Sequence, residues 1–252
     1  MTANTRSQLR RLLPGDQLSF DPEVLKAHSG DKWFASSLPE AVAFPENSEA
    51  VSRLLRFANQ RGIPVTARGA GHGYVGGCVP LRGGIVLSLE RMNRILEINP
   101  GDFVAVVEAG VITKKLQEAA ERKGLFYPPD PASRKDSTIG GNIVTNAGGP
   151  RCLKYGVTRD YVRGLEFVLA DGTVVRAGGR THKNKTGFEV HRLLVGSEGL
   201  LGVVTQATLK LLPLPPFRAC LAVGFPKMRH AGRSLHAIFR AGFLPAALEL
   251  AD

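Results

Sequence analysis

Seven glycines fall among the twenty residues from Val65 to Gly84, V-T-A-R-G-A-G-H-G-Y-V-G-G-C-V-P-L-R-G-G. A residue without a side chain admits positive φ and lets a ligand touch the main chain. Successive bare N–H groups in such a loop form a concavity suited to phosphate. Gly71-His72-Gly73-Tyr74-Val75-Gly76 matches the dinucleotide fingerprint G-x-G-x-x-G. That fingerprint needs a helix directly behind it, because the helix N-terminus receives the pyrophosphate. Gly77, Pro80, Gly83 and Gly84 follow instead, and no helix starts on such a run. The loop therefore reads as a nucleotide-cofactor cradle of a different design.

Other chemistry is sparse. Cys78, Cys152 and Cys220 are odd in number and far apart, which gives neither a disulfide framework nor C-x-x-C spacing. Cys152 is expected to be a small buried residue. His182 and His191 lack zinc-type spacing, so no protein-held metal is expected. The formal charge of +11 raises nucleic-acid binding. The basic residues are scattered, however, with no basic helix and no pair of aromatics for base stacking. A positive field equally attracts an anionic cofactor or a carboxylate substrate.

The elements that must hold the glycine loop follow from periodicity. Asn47-Ser48-Glu49 caps a helix with Val51, Leu54, Leu55 and Ala58 on one face, and Gly62 ends it. Pro64 starts the strand that feeds the loop, and Gly84–Leu89 reads as a buried strand. Arg94–Ile98 and Phe103–Val107 form a hairpin around Asn99-Pro100-Gly101-Asp102. A helix follows from about Thr113 to Lys123, with Gly124 as its cap. After a long loop, Val162–Ala170 and Thr173–Ala177 pair across Asp171-Gly172, and Val203–Leu212 is a further strand. Beyond Pro213, Pro215 and Pro216, the run Arg218–Phe225, the stripe Ala231, Leu235, Ile238, Phe239 and the run Pro245–Leu250 read as β-α-β. The class is α+β with mixed sheets.

The N-terminus carries Arg6, Arg10 and Arg11 without an apolar stretch, and no apolar run approaches a membrane span of roughly 18 residues. The expectation is a cytoplasmic protein.

Three segments in order carry a family resemblance. They are the glycine loop; Phe126-Tyr127-Pro128-Pro129-Asp130-Pro131-Ala132-Ser133 leading to Ser137-Thr138-Ile139-Gly140-Gly141-Asn142-Ile143-Val144-Thr145-Asn146-Ala147-Gly148-Gly149; and Val195-Gly196-Ser197-Glu198-Gly199-Leu200-Leu201-Gly202-Val203-Val204-Thr205. From about residue 20 onward the chain resembles the FAD-binding domain of the vanillyl-alcohol oxidase and p-cresol methylhydroxylase superfamily. Within it, the chain is most similar to the glycolate oxidase and D-lactate dehydrogenase branch. The resemblance implies a two-subdomain, PCMH-type α+β fold with an N-terminal helical segment at 1–36, the FAD-binding domain at 37–214, and the start of an incomplete substrate (cap) domain at 215–252.

The resemblance further implies that Ala67, Arg68, Gly69, Ala70, Gly71, His72 and Gly73 wrap the pyrophosphate. Pro131, Ser133, Ser137, Thr138, Gly140 and Gly141 would line the groove towards the flavin. Thr145, Asn146, Ala147 and Gly148, with Ser197, Glu198, Gly199, Gly202 and Val203, would complete the pocket. FAD is expected to be non-covalent, with a bond through His72 as the alternative, since a related branch carries flavin on a histidine at this place. The implied reaction is oxidation of a small 2-hydroxy acid by hydride transfer to flavin N5. The family's later histidine-rich motif is absent from this sequence, so no catalytic base is named. A second chain supplying the missing cap domain is one implied partner. Two alternatives stand beside this reading: a non-catalytic flavin-binding module or decayed fragment, and the flavin reductase of peptidoglycan precursor synthesis. The Pro128-Pro129-Asp130-Pro131 stretch favours the hydroxy-acid branch.

Overall fold

The computed structural model describes residues 1–251. The chain opens with helices α1 (Ala3–Leu12) and α2 (Pro22–Ala27), with strand β1 (Leu18–Ser19) between them. Strands β2 (Ala41–Ala43), β3 (Val65–Arg68) and β4 (Ile85–Ser88) join β1 in a sheet ordered β1-β2-β4-β3. The β1–β2 pair is antiparallel, whereas β2, β4 and β3 run parallel. Helix α3 (Ser48–Gln60) makes the crossover from β2 to β3 that parallel strands require. The Asn47 side chain accepts the Ala50 N–H at 2.9 Å, which satisfies a donor left free at a helix start. The face carrying Val51, Leu54, Leu55 and Ala58 is buried, as its period demanded.

The second sheet is antiparallel throughout. It comprises β5 (Ile95–Asn99), β6 (Val104–Glu108), β8 (Val162–Val168), β9 (Val174–Gly178) and β10 (Val203–Lys210), in the order β5-β6-β10-β8-β9. Short strands β7 (Leu125–Phe126) and β11 (Leu212–Pro213) pair beside it. The expected Asp171-Gly172 turn joins β8 to β9, with Gly172 at φ +86° and Asp171 Oδ1 accepting the Thr173 N–H at 2.8 Å. Helix α4 (Thr113–Glu121) follows β6. The remaining helices are α5 (Ile139–Val144), α6 (Cys152–Tyr155), α7 (Val190–Leu194) and α8 (Met228–Arg240).

One apolar core joins the two sheets. Leu54 of α3, Leu87 of β4, Val107 of β6, Leu165 of β8 and Leu209 of β10 all belong to it. Leu9 of α1 and Leu13 belong to it too, so the N-terminal helix packs on the same core as the sheets. Glu166 on β8 is buried and fully engaged. It accepts from Ser48 Oγ at 2.5 Å, Thr205 Oγ1 at 2.9 Å and Arg176 Nε at 2.8 Å, and so ties α3, β10 and β9 together.

Three sequence expectations need correction. The long loop before β8 contains α5 and α6. Of the anticipated C-terminal β-α-β, only the helix forms, as α8; 218–225 and 245–250 are irregular. A strand needs a hydrogen-bonding neighbour, and neither segment pairs with one among the described residues. Cys152 is half-buried rather than buried, because α6 lies near the surface and its thiol is used locally, accepting the Gly149 N–H at 3.0 Å.

Candidate functional site

β3 ends at Arg68 on the edge of its sheet and releases the glycine loop into a cleft of about 520 Å³. The loop is shaped from within by Arg68. Its guanidinium folds back beneath Gly71, where a β-carbon would collide with it, and Nη1 donates to Gly30 O at 2.6 Å and Cys78 Sγ at 3.3 Å. Gly71 has φ +70°, a conformation that only glycine adopts without cost. No helix forms between Gly69 and Gly84. Among the described residues, no backbone N–H from Gly69 to Cys78 donates to a protein acceptor. A run of free donors along a cleft wall is the arrangement that binds phosphate oxygens.

The second wall is α5 and its approach. Thr138 caps this helix, its Oγ1 accepting the Gly141 N–H at 3.2 Å. Behind it lies a buried polar network: Asn142 Nδ2 donates to Thr113 Oγ1 at 2.6 Å, and Thr113 Oγ1 donates to Ser137 O at 3.0 Å. Gly140 donates to Ala109 O at 2.7 Å, and a β-carbon there would stand 2.7 Å from the Ala109 side chain. These contacts fix α5 against β6 at a distance only glycine allows. Asn146, at φ +48°, turns the chain out of α5 and its Oδ1 accepts the Arg159 N–H at 2.9 Å.

The third wall precedes β10. Gly196 donates to Ile143 O at 3.0 Å and Glu198 to Val144 O at 2.8 Å, which pins this segment to the end of α5. Glu198 takes φ +52° and turns its carboxyl across to the glycine loop, where Oε2 lies 3.3 Å from the position of a Gly77 β-carbon. Burial pushes the Glu198 carboxyl above the ordinary range, and burial likewise raises the Cys78 thiol.

Of the residues singled out from sequence, all but Ser197 line this one cleft. Ser197 points elsewhere, its hydroxyl donating to Leu194 O at 2.8 Å at the end of α7. Sequence reading missed Asp31, Tyr74, Cys78, Leu89 and Asn142, among others. Tyr74 and Cys78 sit inside the loop already identified. Asn142 lay within a quoted motif. Asp31 had no pattern to announce it. The free N–H groups fit a pyrophosphate, and the small residues of the other walls leave room for a flat ring. Among the described residues no group of three or more His, Cys, Asp or Glu could hold a metal ion, and no helix is long and apolar enough to cross a membrane.

Comparison with known proteins gives a match over residues 39–178 to the family described as FAD binding domain. Glycolate oxidase subunit GlcD of Bacillus subtilis is 48% identical over 216 residues, 86% of this chain and 46% of that protein. D-lactate dehydrogenase of Archaeoglobus fulgidus is 44% identical over 241 residues, 95% of this chain and 52% of that protein. The chain thus spans about half the length of the relatives it matches. Among solved structures, alkyldihydroxyacetonephosphate synthase superposes with a TM-score of 0.85 at 24% identity, over 98% of this chain and 47% of that one. The 4-ethylphenol oxidase of Gulosibacter chungangensis, in its isoeugenol complex, gives 0.75 at 29% identity, over 85% and 43%.

Proposed function

From the premise that the chain belongs to the FAD binding domain family, we propose that it is the cofactor-holding part of a flavin-dependent oxidoreductase acting on a small 2-hydroxy acid of the D-lactate or glycolate class. The observation that carries this reading is the convergence of three separated segments on one cleft, with the free N–H groups of Gly69–Cys78 along a wall. The names of the relatives supply the substrate class.

In this reading the glycine loop holds the pyrophosphate, Arg68 keeping its backbone in shape. Thr138, Gly140 and Gly141 give the ring a wall at van der Waals distance, and Ser133, Ser137 and Thr145 to Gly148 extend it. Glu198, Gly199, Gly202 and Val203 close the far side; Ser197 holds that turn from behind. Bound FAD would supply the acceptor for a hydride from the substrate's α-carbon. The protein's part is orientation, exclusion of water and hydrogen-bond donors directed at the anionic cofactor. The hydroxyl proton needs a base, and in this reading a partner chain supplies it. We read FAD as non-covalent, His72 being a wall residue of the loop, and the protein as cytoplasmic. The unit boundaries in this reading are 1–36, 37–214 and 215–252.

Anaerobic mixing of the FAD-loaded chain with D-lactate or glycolate tests the reaction. Loss of the flavin's visible absorbance within the mixing experiment supports turnover by this chain. Retained colour with bound FAD assigns the chain to holding flavin only, and addition of a partner chain that supplies the base should then restore bleaching.

A further inference from the structure

The segment Gly30–Ser36 closes on itself through a bridge between these two residues and packs against the glycine loop. Three contacts join them. Gly30 O accepts from Arg68 Nη1 at 2.6 Å, and the Lys32 N–H donates to Gly73 O at 3.0 Å. Trp33 packs on Gly76, where a β-carbon would stand 2.6 Å from its Cε3, and Gly76 has φ +73°. Asp31 belongs to the cleft wall. One of its oxygens is spent locally, Oδ1 accepting the Trp33 N–H at 2.7 Å. The other, Oδ2, is buried without any partner and lies 3.5 Å from the position of a Gly73 β-carbon.

A buried carboxylate oxygen without a donor is destabilising, more so when charged, so such an atom in a ligand cleft calls for a donor from the ligand. A carboxylate accepts hydrogen bonds and repels phosphate. The part of a flavin dinucleotide that offers donors beside its pyrophosphate is the hydroxyl-bearing sugar chain. We propose that Gly30–Trp33 is a clasp that belongs to the cofactor site: Lys32 and Trp33 hold the glycine loop in its binding shape, and Asp31 Oδ2 accepts a hydrogen bond from a sugar hydroxyl of the bound dinucleotide. This rests on the FAD reading above and extends it to residues that precede the 39–178 match to the family. Trp33 acts through the loop and is a positioning residue; Asp31 touches the cofactor.

Trp33 is the sole tryptophan of the chain and packs on the loop, so its fluorescence reports FAD binding directly. Titration of the full chain with FAD should quench it saturably. Asp31→Ala should raise the dissociation constant about tenfold, whereas Asp31→Asn, whose one oxygen keeps the Trp33 N–H while its amide N–H donates to the oxygen of the same sugar hydroxyl, stays within about threefold of wild type. Asp31→Ala gives up the Oδ1 bond to the Trp33 N–H but also removes an unpartnered buried oxygen, so the melting temperature of its FAD-free chain should stay within about 3 °C of wild type while its FAD affinity falls. If Asp31→Ala does not fold, Asp31→Ser carries the same test and should bind several-fold more weakly. Wild-type affinity in the Ala or Ser variant overturns the proposal, as does a loss of affinity that tracks a lowered melting temperature and is not rescued by Asn. A wild-type chain that gives no quenching and gains no flavin absorbance overturns the FAD reading together with the clasp; normal wild-type binding with unaffected Asp31 variants overturns the clasp alone.

Discussion

Gly69 and Thr138 face each other across the cleft so closely that a β-carbon on residue 69 would stand 2.5 Å from Thr138 Oγ1. The two residues belong to different motifs, about seventy positions apart, and their contact joins the glycine loop to the cap of α5. A single methyl at residue 69 must push the two walls apart. Gly69→Ala should therefore weaken FAD binding at least tenfold, read by equilibrium titration of flavin absorbance. Removing the opposing oxygen should return part of the loss, so that Gly69→Ala/Thr138→Ala binds better than the sum of the single changes predicts. Strict additivity of the two changes would count against the contact.

Glu166 gives a stability prediction with a definite sign. Burial acts to raise its carboxyl, but the hydrogen bonds from Ser48, Arg176 and Thr205 outweigh it, and the group titrates below its ordinary value of 4.5. A depressed folded-state value means stabilisation that is complete above the unfolded value and lost as pH falls through the folded one. Glu166→Gln should cost about 1–3 kcal/mol at neutral pH. In urea melts at a series of pH values, the gap between variant and wild type should close below about pH 4. A gap that is constant with pH would mean that the carboxylate charge is not what ties α3 to the sheet.

Much of this fold was legible because its elements repeat clean periods. The 3.6-residue stripe of α3, the Asn99–Asp102 hairpin and the Asp171-Gly172 turn all occur where side-chain pattern and turn chemistry agree. Helix α5 escaped notice because six residues that include Gly140 and Gly141 have little helical propensity of their own; it exists through the Thr138 cap and its packing on Ala109 and Val111. The runs 218–225 and 245–250 have strand composition, yet composition supplies no partner. The cleft was legible wherever glycines clustered. Asp31 was not, since its place beside Gly73 comes from tertiary folding alone.

Ser197 separates motif membership from contact. Its hydroxyl is committed to Leu194 O, so Ser197→Ala should change FAD affinity less than about twofold while lowering stability by about 0.5–1.5 kcal/mol. A tenfold loss of FAD affinity at unchanged stability would place Ser197 in the site after all.

The segment from Phe217 onward should be the first to yield to protease. Phe217, Leu221 and Val223 are exposed, and Ala231 is the one buried residue of α8. Limited trypsin treatment should cut at Arg218 and Lys227 before any site in the two sheets, leaving the melting temperature of the remaining core within about 3 °C of the intact chain. Early cleavage in the glycine loop, at Arg68 or Arg82, would contradict the order of stabilities inferred from burial.

Non-covalent binding of FAD in the cleft formed by the three glycine-rich segments underlies both the proposed reaction and the Gly30–Trp33 clasp. The most direct measurement is the visible absorption spectrum of the purified chain, incubated with FAD and freed of excess, before and after acid precipitation. A flavin spectrum at about one FAD per chain is expected, and it should pass entirely into the acid supernatant. Colour kept in the pellet would contradict non-covalent binding and point to His72, and a colourless chain would contradict FAD binding itself.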